Sequence, residues 1–308
     1  MVDYPRGERI VVTQCAGQWS QAILDPRGST TAILEDDFCD IIKKARTGQG
    51  LSLDRISAAS GIETAGLQEL ESGRRAPARE EVLALAAALM LDGPKLAAIA
   101  CDHWQPAHPA HQTAKDVILI RGDIGGYEVK GYLFYDPATR NAVMIDTGYN
   151  PEAMLRAIEK ERLTLTAVCL THGHADHAGG LDAILARHPV PVYIGEGDWS
   201  LLGWQPPLSL RKFVTDGETM RVGGRAVKFV TTPGHTPGGV CYKTDAYCFV
   251  GDTLFAGSIG RANPSTLYPT HLKSVRTRVL TLPENFILFP GHGPFTTVRE
   301  ERDHNPFG

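Results

Sequence analysis

The 308-residue sequence lacks any apolar run long enough to cross a bilayer, and Asp3, Arg6, Glu8 and Arg9 occupy the region where a signal peptide needs an apolar centre. No membrane association is therefore expected, and a cytoplasmic location is. The six cysteines, Cys15, Cys39, Cys101, Cys169, Cys241 and Cys248, show no CxxC spacing and are too sparse for a disulfide framework. Of these, Cys169, Cys241 and Cys248 lie inside strand-like apolar runs and read as buried thiols. An excess of positive charge is missing as well: 31 Lys and Arg against 35 Asp and Glu leave a net charge of −4, which offers little to a polyanionic partner. What remains is an ordinary composition, 43% hydrophobic and 21% charged, long enough for one large domain and a small one.

Against this background one stretch carries concentrated chemistry: Thr171-His172-Gly173-His174-Ala175-Asp176-His177-Ala178-Gly179-Gly180. It follows apolar residues 167–170, so a strand ending at Thr171 would deliver His172 into a loop, where Gly173 lets His172 and His174 turn toward one cation. Asp176 and His177 follow closely enough to serve a second cation. This mixed nitrogen and oxygen set suits zinc, manganese or iron better than calcium. Taken alone, the run also reads as a polar surface loop. Three later candidates decide against that: His235 after the β-like run 227–231, Asp252 after 247–250, and His292 after 286–289. Loops at strand ends are where a rigid sheet can aim side chains at a shared point.

The order HxHxDH, then His, Asp and His, resembles the pattern of the metallo-β-lactamase fold superfamily at all seven positions, over roughly residues 115–308. The resemblance implies an αββα sandwich holding two divalent metal ions, zinc first, with manganese or iron as alternatives. It places one ion on His172, His174 and His235 and the other on Asp176, His177 and His292. Asp252 bridges them, and Asp176 and Asp252 are the catalytic carboxylates. Asp146 matches an early aspartate that supports the site from behind; its other reading is a turn residue ahead of Gly148. The implied reaction is hydrolysis by a water activated between the two ions.

Residues 251–261 and 290–307 are similar to the glyoxalase II branch, especially its short bacterial hydroxyacylglutathione hydrolase members, which implies a small-molecule thioester substrate, or a related ester or lactone. A thiolate leaving group needs little protonation, which suits a site with no obvious general acid. Two features depart from that branch. The chain stops about sixteen residues after His292, where long members carry a glutathione-holding helical domain, and Arg261 is followed by Ala262-Asn263-Pro264. Arg261 is the candidate for binding a substrate carboxylate, with a structural salt bridge as its other reading. The competing enzyme within this fold is a persulfide dioxygenase with one iron at His172, His235 and Asp252. The run Asp252-Thr253-Leu254-Phe255-Ala256-Gly257-Ser258 favours the hydrolase.

The sequence divides into an extension at 1–35, a helical domain at 36–102, a linker at 103–114 and the catalytic domain at 115–308. In the extension, 10–13 reads as a strand, 19–24 as a strand or a helical turn, and 25–28 as a turn. Phe38, Ile41, Ile42 and Ala45 have helical spacing, Ser52 caps a second helix, and Gly61 turns into a third at about 63–71 before a fourth at about 79–90. This small all-α set resembles the phage-repressor (XRE-like) helix-turn-helix. Over 36–100, however, there are eight Lys and Arg against ten Asp and Glu, and the third helix has no basic residue. A DNA-binding regulator with a metal-domain sensor is therefore the lesser alternative, and no DNA-binding residue is assigned. The helical domain is read instead as a dimerisation element, making a homodimer, or as a cover for the active site. His103, His108 and His111 read as solvated linker residues and His188 and His304 as surface or capping residues, while Trp199 and Trp204 read as core.

Overall fold

Residues 34–107 and 114–308 are described by the computed structural model, together with the backbone of β1 (Ile10–Cys15) and β2 (Gln18–Ile23). These two strands pair as an antiparallel hairpin, so the strand expected at 10–13 is present and the strand reading of 19–24 is the one realised. The turn expected at 25–28 and both His108 and His111 lie outside the described residues.

The helical part consists of α1 (Phe38–Gly48), α2 (Leu53–Ser60), α3 (Thr64–Glu71), α4 (Arg79–Ala88) and α5 (Gly93–Ala100). Ser52 caps α2 by accepting from the Arg55 amide, and Gly61 closes it at φ 74, a left-handed conformation open to glycine. The sequence reading names four helices and not this fifth one, which proline opens in its first turn and Asp92 caps by accepting from the Lys95 amide.

Two six-stranded sheets form the rest. The first has the order β3 (Val117–Ile124), β4 (Tyr127–Tyr135), β5 (Asn141–Thr147), β6 (Thr164–Cys169), β7 (Val192–Ile194) and β8 (Arg211–Phe213). The second joins β9 (Thr219–Val222), β10 (Arg225–Thr231), β11 (Val240–Lys243), β12 (Tyr247–Gly251), β13 (Ile287–Pro290) and β14 (Thr296–Thr297) in sequential order. Alternation along the strands sorts their residues into layers. On β5, Val143 and Ile145 face the core between the sheets, where they meet Phe229, Tyr242 and Phe249. Ala142 and Met144 face outward under α6 (Pro151–Lys160) and α8 (Leu181–Arg187). A strand apolar on both faces is thus buried on both.

The outer face of the second sheet is covered differently. Cys248 and Val250 of β12 share one continuous core with Ile41, Ile42 and Ala45 of α1, Leu85 of α4, Leu96 of α5 and Val298 of α10 (Val298–His304). Trp104, in the expected linker, packs on this core and stacks on His304 at 4.6 Å between ring centroids. The helix-turn-helix-like part is therefore packed into the outer helical layer. Trp204, expected in the core, is instead 42% exposed, in the irregular segment between the 3-10 turns Glu196–Leu201 and Leu208–Leu210. Among the described residues, no helix is long and apolar enough to cross a membrane.

This shared core also buries a carboxyl. Glu301 of α10 is fully buried and accepts from the Thr296 hydroxyl, the Asn305 side-chain amide and the Gly257 amide. Burial outweighs these bonds and pushes its pKa from 4.5 up to about 7. The folded state holds this proton where the unfolded chain has lost it, so the contribution is complete below pH 4.5 and is lost as pH rises to about 7. Glu301→Gln keeps the acceptor for Asn305 and Gly257 and donates to the Thr296 hydroxyl. Relative to the wild type it should gain about 3 kcal/mol between pH 5 and pH 8 in urea unfolding. A constant difference across that range would contradict the assignment.

Candidate metal centre

The five residues or runs that build the site all come from the carboxyl ends of strands, where a sheet leaves a crevice open to ligands. Asp146 lies near the end of β5, and the 171–177 loop follows β6 and runs into the short helix α7 (Ala175–Ala178). His235 follows β10, Asp252 follows β12 directly, and His292 follows β13. The geometry brings the sequence candidates into three overlapping groups whose nitrogen and oxygen atoms lie within 4.8 Å of one another: His172, His174 and His235; His172, Asp176 and His177; and His177, Asp252 and His292.

The imidazoles share a design. His177 Nδ1 donates to Asp146 Oδ2 at 2.8 Å, His235 Nδ1 to the Arg261 carbonyl at 2.7 Å, and His292 Nδ1 to the Glu128 carbonyl at 2.7 Å. His172 Nδ1 lies 3.1 Å from the Thr171 hydroxyl. Each ring thereby turns Nε2 inward, the tautomer and orientation a metal ligand needs. His174 instead presents Nδ1, 3.0 Å from His235 Nε2. His172 Nε2 is buried, faces this cluster and is left without a hydrogen-bond partner among the described residues, and Asp252 Oδ1 there has only His177 Nε2 at 3.2 Å beside it. Unpartnered polar atoms at such depth are costly unless something else satisfies them. The nitrogen and carboxylate set fits a divalent transition metal.

Asp146 accepts from the Thr171 amide and hydroxyl, each at 2.7 Å, besides His177, and it adopts φ 55 within the end of β5. Glycine is needed where the loops converge: a Cβ on Gly291 would lie 2.3 Å from His177 Cε1 and 2.5 Å from Asp252 Oδ1. Charges around the centre are strongly coupled. Burial raises the Asp252 carboxyl, but His292 and His177 overcome it and hold it well below the usual carboxylate range. Burial, with His177 and His235 beside it, pushes His172 well below the ordinary histidine value, and burial takes His235 down to about 3. For His177, burial is overcome by Asp252 and Asp146, which raise its pKa well above the ordinary histidine value. Such a charge pattern is what a cation would replace.

Residues 125–292 match the family model of the metallo-beta-lactamase superfamily. The chain belongs to the metallo-beta-lactamase superfamily. Proteins similar to it include hydroxyacylglutathione hydrolase GloC of Haemophilus influenzae, 34% identical over 185 residues that span 54% of this chain and 87% of that protein. The crystal structure of the B3 metallo-beta-lactamase BLEG-1 superposes with a TM-score of 0.55 at 31% identity, covering 62% of this chain and 99% of that one. A solved structure in a di-iron-bound form superposes at 0.53 and 32% identity, covering 61% of this chain and all of that one. Residues 42–92 match a helix-turn-helix family.

Residues beyond the family's seven-position pattern also shape the centre. Asp198, fully buried, accepts from the Gly173 amide at 3.0 Å, the Thr236 hydroxyl at 2.7 Å and the Gly238 amide at 2.6 Å, tying the His172–His174 loop to the His235 loop. His271 of α9 (Tyr268–Ser274) donates from Nε2 to the Thr253 carbonyl, and burial lowers it to about 4. Glu35 packs against Gly293, and burial pushes its carboxyl up to about 7 against the pull of His292. None of the three lies in a recognisable motif; only a loop acidic residue or a helix-borne histidine is visible in the sequence. Arg261 is exposed and contributes its carbonyl to His235.

Proposed function

We propose that this superfamily member is a metal-dependent thioester hydrolase. The observation that carries the reading is the convergence of five imidazoles and two carboxylates on one small volume, with the buried His172 Nε2 facing it and left without a hydrogen-bond partner among the described residues. His172, His174 and His235 would hold one divalent ion, Asp176, His177 and His292 the other, and Asp252 would lie between them. Such ions supply Lewis acidity toward the carbonyl and a water activated near neutral pH. The chain's own part is orientation: Asp146, the Glu128 carbonyl and the Arg261 carbonyl hold the rings. Phe255, buried with its ring 5.8 Å from that of His292, limits water on that side. A thioester is supported by the chemistry of a leaving group that needs little protonation and by the likeness to a protein named as a hydroxyacylglutathione hydrolase.

The helical part is read as a wall of the site. On α3, Glu69 and Glu71 are unsuited to phosphate, and Arg75 is engaged by Glu81 at 2.7 Å and Glu69 at 3.7 Å.

Metal analysis and an activity panel on one preparation test the proposal. The expected result is about two zinc or manganese ions per chain with thioester cleavage. One iron per chain with oxygen uptake on a persulfide would replace the hydrolase by the dioxygenase reading.

A further inference from the structure

Beside the centre, α1 and the loop after Asp252 enclose a cleft of about 150 Å3 whose polar lining is Lys43, Lys44, Thr47, Arg261 and Ser265. Three cationic side chains thus face one small volume from two parts of the chain that lie far apart in sequence. Their charges are not equally committed. Lys44 is held by Asp36 Oδ2 at 2.5 Å and the Ile259 carbonyl at 3.0 Å, and it sits 5.0 Å from the centroid of the Phe255 ring. Asp36, in turn, accepts from the Ser258 hydroxyl. Lys43 and Arg261 are exposed, and among the described residues neither has a carboxylate partner. Among the described residues, the cleft therefore has a positive charge without a carboxylate partner on both walls.

Both walls are anchored to the metal centre. The Arg261 carbonyl accepts from His235 Nδ1, and the Asn263 amide donates to the His235 carbonyl at 2.9 Å. On the other side, Phe255 touches Lys44 and presents its ring to His292. The helix can come this close because of Gly48: a Cβ there would lie 2.4 Å from the Tyr268 ring, which follows the Ser265–Leu267 turn of the cleft.

We propose that this cleft is an anion subsite in which Lys43 of the helical domain and Arg261 of the catalytic domain bind the carboxylates of the substrate's thiol portion. The proposal rests on the thioester reading for its substrate and adds what the helical domain does there. Arginine suits a planar carboxylate by its forked donors, and lysine adds a mobile point charge. The ligand class is a thioester of a small, carboxylate-bearing thiol.

Charge reversal at two exposed positions leaves the fold intact, so Lys43→Glu and Arg261→Glu are suitable variants. With S-lactoylglutathione as the anionic substrate, each should raise KM about fivefold and the double variant more than tenfold, with kcat unchanged. The wild-type KM should rise with salt. With S-lactoyl-N-acetylcysteamine, a neutral thioester of the same acyl group, Lys43→Glu should behave as the wild type does. Calorimetry with S-methylglutathione, which cannot be hydrolysed, reads binding without turnover and should show the same loss in the variants. Unchanged binding of S-methylglutathione, or equal losses on the neutral thioester, would overturn the subsite. Salt-sensitive, Lys43- and Arg261-dependent binding without hydrolysis of either thioester would keep the subsite and refute the thioesterase.

Discussion

Asp252→Ala is expected to release both metal ions and to lower kcat/KM by about a thousandfold or more, the scale of several kcal/mol of lost Lewis-acid stabilisation. The expectation follows from position. Asp252 Oδ1 lies 3.2 Å from His177 Nε2, and Oδ2 lies 3.6 Å from His235 Nε2 and 3.8 Å from His292 Nε2, so one carboxylate reaches imidazoles assigned to both ions. No other carboxylate among the described residues is both fully central and free of a backbone donor: Asp146 is spent on Thr171 and His177, and Asp176 stands to one side against His292 at 3.2 Å. Metal content by plasma emission, measured beside turnover, checks the result. Asp252→Asn separates loss of charge from loss of volume, and it should also lose metal while keeping the wild-type melting temperature of the stripped protein more closely than alanine does. Full metal content in Asp252→Ala would exclude the bridging role.

The second large effect belongs to a residue that touches no candidate ligand atom. Asp198→Ala leaves the Gly173 amide, the Thr236 hydroxyl and the Gly238 amide without their buried acceptor. At about 1–3 kcal/mol for each of the three buried donors left unpaired, the total loss should be roughly 3–9 kcal/mol, enough to make the chain marginal. The two metal loops would also come apart, so affinity for the ions should fall by about 10- to 100-fold. An amide is not equivalent to the native carboxylate at this position: Asp198→Asn retains an oxygen for Gly173 and Thr236 but turns an NH2 group toward the Gly238 N–H, and it should recover only part of both losses. Chemical unfolding and metal titration of the two variants give the test. An Asp198→Ala protein with native stability and affinity would show that the loops hold each other by packing alone.

These two residues mark the boundary between what could be read and what could not. Asp252 is legible because it sits directly after an apolar strand, in a series of ligands each placed at a strand end; the order of residue types along the chain is enough to propose the centre. Asp198 sits in a short turn of 3-10 helix with no motif around it, and its value comes entirely from three donors contributed by other loops. The same contrast holds for the helices. Ile41, Ile42 and Ala45 announce an apolar stripe, but the stripe does not say what it packs against.

The amino-acid sequence by itself determined the alternation that makes strands apolar on both faces, the helical spacing of 38–90, and the set of imidazoles and carboxylates delivered at strand ends. These are local properties, written in residue type and period. Only the tertiary structure decided that the helical part shares its core with the second sheet, that Gly48 lets α1 rest on Tyr268, and that Lys43 and Arg261 face one cleft beside His235. The physical reason is that burial and charge pairing depend on distance in space. Residues more than two hundred positions apart acquire a common environment only when the chain has closed around them.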